Sequence, residues 1–212
     1  MDGIRTNDGE QQGRLLQGIG EVLQSSAQTS HAILQLAALV SETDLVFARL
    51  QDETLARQVE PVLATFRRLN SPEAVRHGPI TAEQQARGVR LLEALQQLVV
   101  YRNRVAHDTW WAFPTTEDAD AIEGAVPTTW RKGTTHSTVR SLRTLAVLFS
   151  GVAAGCSQLE VDIHALRGRG FPVLEGVSEN LLRVERALSG MAGGTLQGWR
   201  WEVVPHDYRN PV

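Results

Sequence analysis

The sequence predicts an all-α fold, a helical bundle of about four main helices with a short β-hairpin or loop insertion and a small C-terminal extension. Apolar residues recur at three- and four-residue intervals over most of the chain, which is the period of an amphipathic helix. This period is lost between Thr109 and Ser137 and is interrupted again after Leu166.

The first helix is expected from about Glu10 to Val40, because one apolar stripe runs through this segment. A second helical segment follows, beginning near Ser41 and continuing to Leu69. Pro61 lies inside it and should kink or restart it, since proline lacks an N–H donor and clashes with the preceding turn.

A short helical piece is expected from Ser71 to the Gly-Pro break that starts at Gly78. The third long helix then begins at Thr81, which with Gln84 has the spacing of a capping box. Its apolar face extends to His107.

The segment from Thr109 to Ser137 is rich in tryptophan and threonine, which favours two short strands or an irregular loop. Four carboxylates lie within it: Glu117, Asp118, Asp120 and Glu123. Their irregular spacing is typical of a solvated loop rather than a metal site. The sequence therefore predicts neither a metal nor a cofactor.

The helical period returns from Thr138 to about Leu166, and a further helix is possible from Val177 to Leu188. The final segment, Trp199 to Val204, alternates weakly like an edge strand. We therefore expect a helical domain over residues 1–167 and an extension of unassigned role over 168–212.

Composition is that of a soluble globular protein, with 42% hydrophobic and 21% charged residues. The single cysteine, Cys156, excludes an internal disulfide, and Met1 to Gln12 lacks the basic and apolar segments of a secretory signal. The apolar stretch Leu145 to Cys156 is shorter than the roughly 20 residues that span a bilayer. We expect a cytoplasmic protein with no membrane association.

The net charge of −3 excludes the global basic surface of a nonspecific nucleic-acid binder. A local cluster is nevertheless basic, with Arg131, Lys132, Arg140 and Arg143 free of intervening acids. His136 lies in the same segment. Arg131, Lys132 and His136 are therefore candidates for lining an RNA path, and Arg104 is a further candidate for contact with an RNA backbone.

The segment Arg102-Asn103-Arg104-Val105-Ala106-His107 carries the strongest chemical signal. On a helix Asn103 and His107 share nearly one face, whereas Arg102 and His107 are about 140° apart. The arginine must therefore reach round, or the helix must distort, or a second copy must supply the missing group.

These residue types suit cleavage of a phosphodiester in RNA. Histidine can exchange a proton with the 2′-hydroxyl or the leaving 5′-oxygen near neutral pH, and arginine stabilises the charge that develops on phosphorus-bound oxygens. Asn103 can orient either group by hydrogen bonding.

An arginine followed by a polar residue and, after four to six residues, by a histidine resembles the signature of HEPN domains. The resemblance covers roughly residues 10 to 166. It implies a metal-independent endoribonuclease that acts as a homodimer with a composite site, as a toxin or in phage defence, with Arg102, Asn103 and His107 as catalytic residues. The implied partners are RNA and an antitoxin or regulatory protein.

The same residues also allow a second interpretation. Basic side chains in the last turn of a helix also favour the negative pole of the helix dipole, so the motif has a structural explanation. The chain would then be a noncatalytic helical dimerisation or nucleotide-binding module.

Overall fold

The computed structural model describes residues 5–40, 49–69, 80–112, 121–125, 132–168, 177–189 and 196–204. This part of the chain is mostly helical with one small antiparallel sheet, consistent with the predicted all-α class. The helices are α1 (Arg5–Val40), α2 (Leu55–Arg68), α3 (Ala82–His107), α4 (Val139–Leu166) and α5 (Val177–Ser189). The strands are β1 (Thr109–Ala112), β2 (Ala121–Ala125), β3 (Lys132–Thr138) and β4 (Arg200–Val204).

The predicted limits of α3 are confirmed at both ends. The Thr81 amide donates to Gln84 Oε1 at 2.9 Å and the Gln84 amide donates to Thr81 Oγ1 at 3.1 Å. This reciprocal pair satisfies two N–H groups that the start of a helix leaves free. The helix then runs unbroken to His107.

The second helical segment was predicted to kink or restart at Pro61, and the prediction of a restart at this residue is wrong. Pro61 lies inside α2, which is continuous. Residues 49–51 are helical, residues 52–54 are not, and α2 begins at Leu55. The restart therefore falls just before α2.

Gln58 supplies a physical reason for this break. Its side chain is buried, and its Nε2 donates to the carbonyl oxygens of Leu50 and Glu53, each at 3.0 Å. Its Oε1 accepts from the Ser30 hydroxyl at 2.6 Å. The amide thus bonds the Glu53 carbonyl and adds a second bond to the Leu50 carbonyl, which also accepts from the Glu53 amide at 3.1 Å, where the short helical stretch ends.

The segment predicted as two strands or a loop contains three strands, and β4 extends them into a sheet with the order β1-β2-β3-β4. All neighbours are antiparallel. In this register Thr135 lies between Gly124 and Trp201. The prediction of an edge strand near the C-terminal end is confirmed.

Of the four carboxylates expected in a solvated loop, the structure describes Glu123. Glu123 lies in β2, where it pairs with His136 across the strands, so the loop prediction is wrong for this residue. Glu117, Asp118 and Asp120 lie outside the described residues, as does the piece predicted from Ser71 to Gly78.

The chain forms two compact units. Unit 1 comprises residues 1–24, 101–146 and 190–212, and unit 2 comprises residues 25–100 and 147–189. Helices α1, α3 and α4 contribute residues to both. Helix α5 belongs to unit 2 and β4 belongs to the sheet of unit 1, and the boundary expected after residue 167 stays a prediction.

Unit 2 is a helical core in which glycines allow close packing. A Cβ on Gly88 would lie 2.3 Å from the ring of Phe66, and one on Gly155 would lie 2.6 Å from Leu91. Both neighbours are fully buried. Side chains larger than hydrogen at the two glycines would therefore force these helices apart.

Helix α4 is long and apolar enough to cross a membrane by length and composition alone, with a mean hydropathy of 1.4 over 18 residues. Core helices of soluble proteins meet the same criterion. Side chains at three- and four-residue intervals along α4 are buried in this structure, among them Leu142, Leu145, Phe149, Val152, Cys156, Leu159 and Ile163. Such a periodic buried face is typical of a core helix.

Candidate functional site

One side of the last two turns of α3 packs against the sheet of unit 1. Tyr101, Arg104 and Asp108 recur at intervals of three and four residues, so they share one side of the helix. Each contacts a strand residue or the turn before β4. This side of the helix end is therefore fixed by the sheet.

An aromatic cluster forms the centre of that contact. The ring of Tyr101 lies 5.3 Å from that of Trp199 and 5.0 Å from that of Trp201, and Trp110 lies 6.0 Å from Trp199. Rings at these separations attract one another in addition to the apolar area that they bury. The Leu196 amide also donates to the Tyr101 hydroxyl, whose pKa is raised by burial.

Asp108 joins the helix end to β3. Its side chain is only 2% exposed, and its Oδ2 accepts from the Thr135 hydroxyl at 3.0 Å and lies 3.8 Å from Arg104 Nη1. Burial raises the pKa of Asp108, while the hydrogen bond from Thr135 and the charge of Arg104 act in the opposite direction.

The Arg104 side chain also lies on the sheet-facing side of the end of α3. Its Cζ lies 5.4 Å from the centroid of the Trp201 ring, a distance at which a guanidinium is attracted to the π face. The predicted RNA contact at Arg104 therefore starts from a side chain that is already engaged by Trp201 and Asp108.

The three residues of the predicted catalytic motif lie off the sheet-facing side. Because α3 is continuous to His107, successive residues are about 100° apart around its axis. Asn103 and His107 are then separated by about 40° and Arg102 and His107 by about 140°. The described helix therefore does not break between Arg102 and His107.

Arg102 turns towards the His107 side of the helix. Its Nη1 lies 3.4 Å from Asn103 Oδ1, a long hydrogen bond, and its buried Nε has no hydrogen-bond partner among the described residues. His107 is exposed, and its charge acts to lower the pKa of the neighbouring Asp108. The motif thus presents donors and an imidazole that the protein itself leaves available.

The other predicted RNA-binding residues are distributed differently. Arg131 and the side chain of Lys132 lie outside what the structure describes, although Lys132 begins β3. His136 is on β3, with Nδ1 4.0 Å from Glu123 Oε2. An acidic neighbour at this distance competes with a phosphate for the histidine.

Asp108 and Trp201 are the contacts that sequence reasoning missed. Asp108 follows directly after His107, which is a visible signal for a residue that anchors the helix end. Trp201 carries no such local signal, because its contact with α3 depends on the pairing of β4 with β3.

No family model, curated protein or solved structure matches the chain. Among the described residues no group of three or more His, Cys, Asp or Glu side chains is arranged to hold a metal ion.

Proposed function

We propose that the protein is a metal-independent endoribonuclease of HEPN type, which cleaves RNA by attack of a 2′-hydroxyl at a composite site of a homodimer. Its expected setting is the cytoplasm, as a toxin or phage-defence effector that an antitoxin or regulatory protein controls. Arg102, Asn103 and His107 are the proposed catalytic residues.

The observation that carries this proposal is the direction of Arg102. Its guanidinium reaches the Asn103 amide, and so approaches the side of the helix on which the exposed His107 lies. The opposite side of the same helix end is held by Trp201 and Asp108. A rigid support with available polar groups on its free side is the arrangement that positioned catalysis requires.

The reaction needs two proton transfers and one stabilised charge. The 2′-oxygen attacks phosphorus as its proton passes to a base, and the bond to the 5′-oxygen breaks as that oxygen takes up a proton. An imidazole can serve either transfer near neutral pH. The products are a 2′,3′-cyclic phosphate and a 5′-hydroxyl.

Arg102 stabilises the negative charge that develops on the phosphoryl oxygens. Arginine remains cationic and donates a planar fork, which matches two oxygens of the phosphoryl group as negative charge builds there. Asn103 lies between Arg102 and His107 and can hold the guanidinium in place through the contact already formed.

A second copy completes the proposed site. Arg102 reaches as far as the Asn103 amide, but its position is still about 140° from that of His107 around the helix axis, so one helix end does not by itself bring the two side chains together. In a symmetric dimer the same patch of each copy meets the other, so Arg102 of one copy can approach His107 of the other. RNA would then bind where the two helix ends meet.

The decisive experiment compares the purified protein with His107→Ala and Arg102→Ala on single-stranded and structured RNA in the presence of a chelator. Wild type should cut and release cyclic-phosphate ends, and both variants should lose at least about a hundredfold in rate. His31→Ala is the matched control, since His31 is an exposed histidine on α1. Cleavage by His107→Ala at the wild-type rate, or cleavage by wild type only with added divalent metal, would contradict the proposal.

A further inference from the structure

Strand β4 brings Trp201 against the end of the helix that carries the motif. The Trp201 ring lies 5.0 Å from that of Tyr101 and faces the guanidinium of Arg104 at 5.4 Å. Residues 199–204 were expected only to form an edge strand of unassigned role. Their position gives them a direct contact with the motif segment.

Two arginines flank Asn103 and are held differently. Arg104 is 32% exposed and has both an aromatic face and the buried carboxylate of Asp108 as neighbours. Arg102 has only a long hydrogen bond to Asn103, and its buried Nε has no partner within the described chain. One cation is thus occupied by the fold, and the other retains unused donors.

We propose that Trp201 is a positioning residue that keeps Arg104 away from the bound RNA, so that Arg102 is the guanidinium that meets the scissile phosphate. This inference rests on the proposed ribonuclease function.

The need for such a device follows from the chemistry of the ligand. Any exposed arginine is attracted to a phosphate chain, whatever its place in the reaction. Arg102 and Arg104 are about 160° apart around α3, so a phosphate held by Arg104 lies on nearly the opposite side of the helix from Arg102. Such binding would be tight without being productive.

Steady-state cleavage by Trp201→Leu in the full chain tests this role. We expect kcat to fall about tenfold to a hundredfold, because RNA is misplaced, while KM stays the same or falls. Adding Arg104→Ala to Trp201→Leu should restore most of kcat, since the competing cation is gone. If Trp201 serves only to hold the fold together, the double variant will be as slow as the single one or slower, which would overturn the inference.

A binding measurement separates this inference from the proposed catalysis. The affinity for an RNA with a 2′-deoxy substitution at the cleavage site is measured against salt concentration. The slope of log affinity against log salt should be steeper by about 0.7 in Trp201→Leu, the value for one added phosphate contact to a single strand, and should return to the wild-type slope with Arg104→Ala. Equal slopes in all three proteins would overturn the inference even if His107→Ala has confirmed the nuclease.

Trp201→Phe provides a second variant if Trp201→Leu does not fold. It retains an aromatic face for Arg104 with a weaker attraction than tryptophan offers. We expect a smaller loss of kcat and a smaller change of salt slope, again reversed by Arg104→Ala. The role would be contradicted if Trp201→Phe leaves kcat and the salt slope unaltered and if Arg104→Ala reverses no loss of kcat in any folded Trp201 variant.

Discussion

The Thr135 hydroxyl donates a 3.0 Å hydrogen bond to Oδ2 of Asp108. It thereby ties the middle strand β3 to the residue that directly follows His107. The carboxylate is almost fully buried, and Arg104 is 3.8 Å away. The orientation of the motif therefore depends on a buried acid that the sheet holds in place.

This buried acid predicts a pH-dependent contribution to stability. Burial raises the pKa of Asp108 above the ordinary value of 3.8. A carboxyl group whose pKa is higher in the folded chain than in the unfolded chain stabilises the fold when the pH is below its unfolded pKa. This contribution is lost as the pH rises through the folded pKa. The stability of Asp108→Asn relative to wild type, measured by urea unfolding, should therefore increase as the pH rises from the ordinary value of 3.8 through the higher pKa of the folded chain.

Thr135→Val is the companion variant. The Thr135 hydrogen bond lowers the pKa of Asp108, so its removal should raise that pKa further and make the loss of stability with rising pH larger than in wild type. A stability difference between Asp108→Asn and wild type that does not vary with pH would contradict this account.

Mixing two inactive variants tests the composite site. If Arg102 of one copy works with His107 of the other, a dimer of one Arg102→Ala chain and one His107→Ala chain has one intact site and one site that lacks both residues. Equal amounts of the two variants, allowed to exchange, should then recover roughly a quarter of wild-type activity per chain. Activity that stays at the level of the separate variants would show that one copy supplies both residues.

Gly88→Ala should destabilise the protein although alanine favours helices. The new Cβ would lie 2.3 Å from the ring of Phe66, which is fully buried. We expect the free energy of unfolding to fall by about 1–3 kcal/mol, as in other overpacked cores. Gly13→Ala on α1 is the control, because nothing lies within 4 Å of its Cβ, and it should stabilise by about 0.5–1 kcal/mol. Equal shifts of the urea midpoint in the two variants would contradict the packing argument.

Gln58→Leu should also destabilise, through lost hydrogen bonds rather than through volume. The carbonyls of Leu50 and Glu53 and the hydroxyl of Ser30 each lose their bond to this amide. The Leu50 carbonyl keeps its bond from the Glu53 amide at 3.1 Å, but the loss of three hydrogen bonds, with the Glu53 carbonyl and the Ser30 hydroxyl deprived of this partner, predicts a loss of about 1–3 kcal/mol in the free energy of unfolding. Gln17→Leu, at an exposed glutamine bonded to Glu21 at 2.8 Å, should change it by less than about 0.5 kcal/mol. Similar losses in both variants would argue against the buried amide.

The local features of this fold were predictable, because they depend on neighbours in sequence. The capping pair Thr81 and Gln84 and the extent of α3 to His107 are confirmed, as are α4 and the helix beginning at Val177. The place of the break before α2 was not predictable, because the bonds of Gln58 depend on packing against Ser30.

The same distinction between features that depend on sequence neighbours and features that depend on distant residues applies to the sheet and to the site. Nothing near Trp201 in the sequence indicates that its ring meets Arg104, since the two residues lie about a hundred positions apart in the chain and Trp201 is placed by the pairing of β4 with β3. The motif itself could be found from the types and spacing of its residues. The catalytic roles of Arg102, Asn103 and His107 stay predictions, which the cleavage and mixing experiments address.

The pairing of β4 with β3 also determines when the motif segment gains its support during synthesis of the chain. Residues 132–136 lack their β4 partners until residues 200–204 have left the ribosome, and contacts between distant parts of a chain form late in folding. A nascent chain that has reached only residue 189 already contains the whole Arg102 to His107 segment, yet it lacks the tryptophan that faces Arg104. Prematurely terminated translation products would therefore carry the motif without the support that orders it.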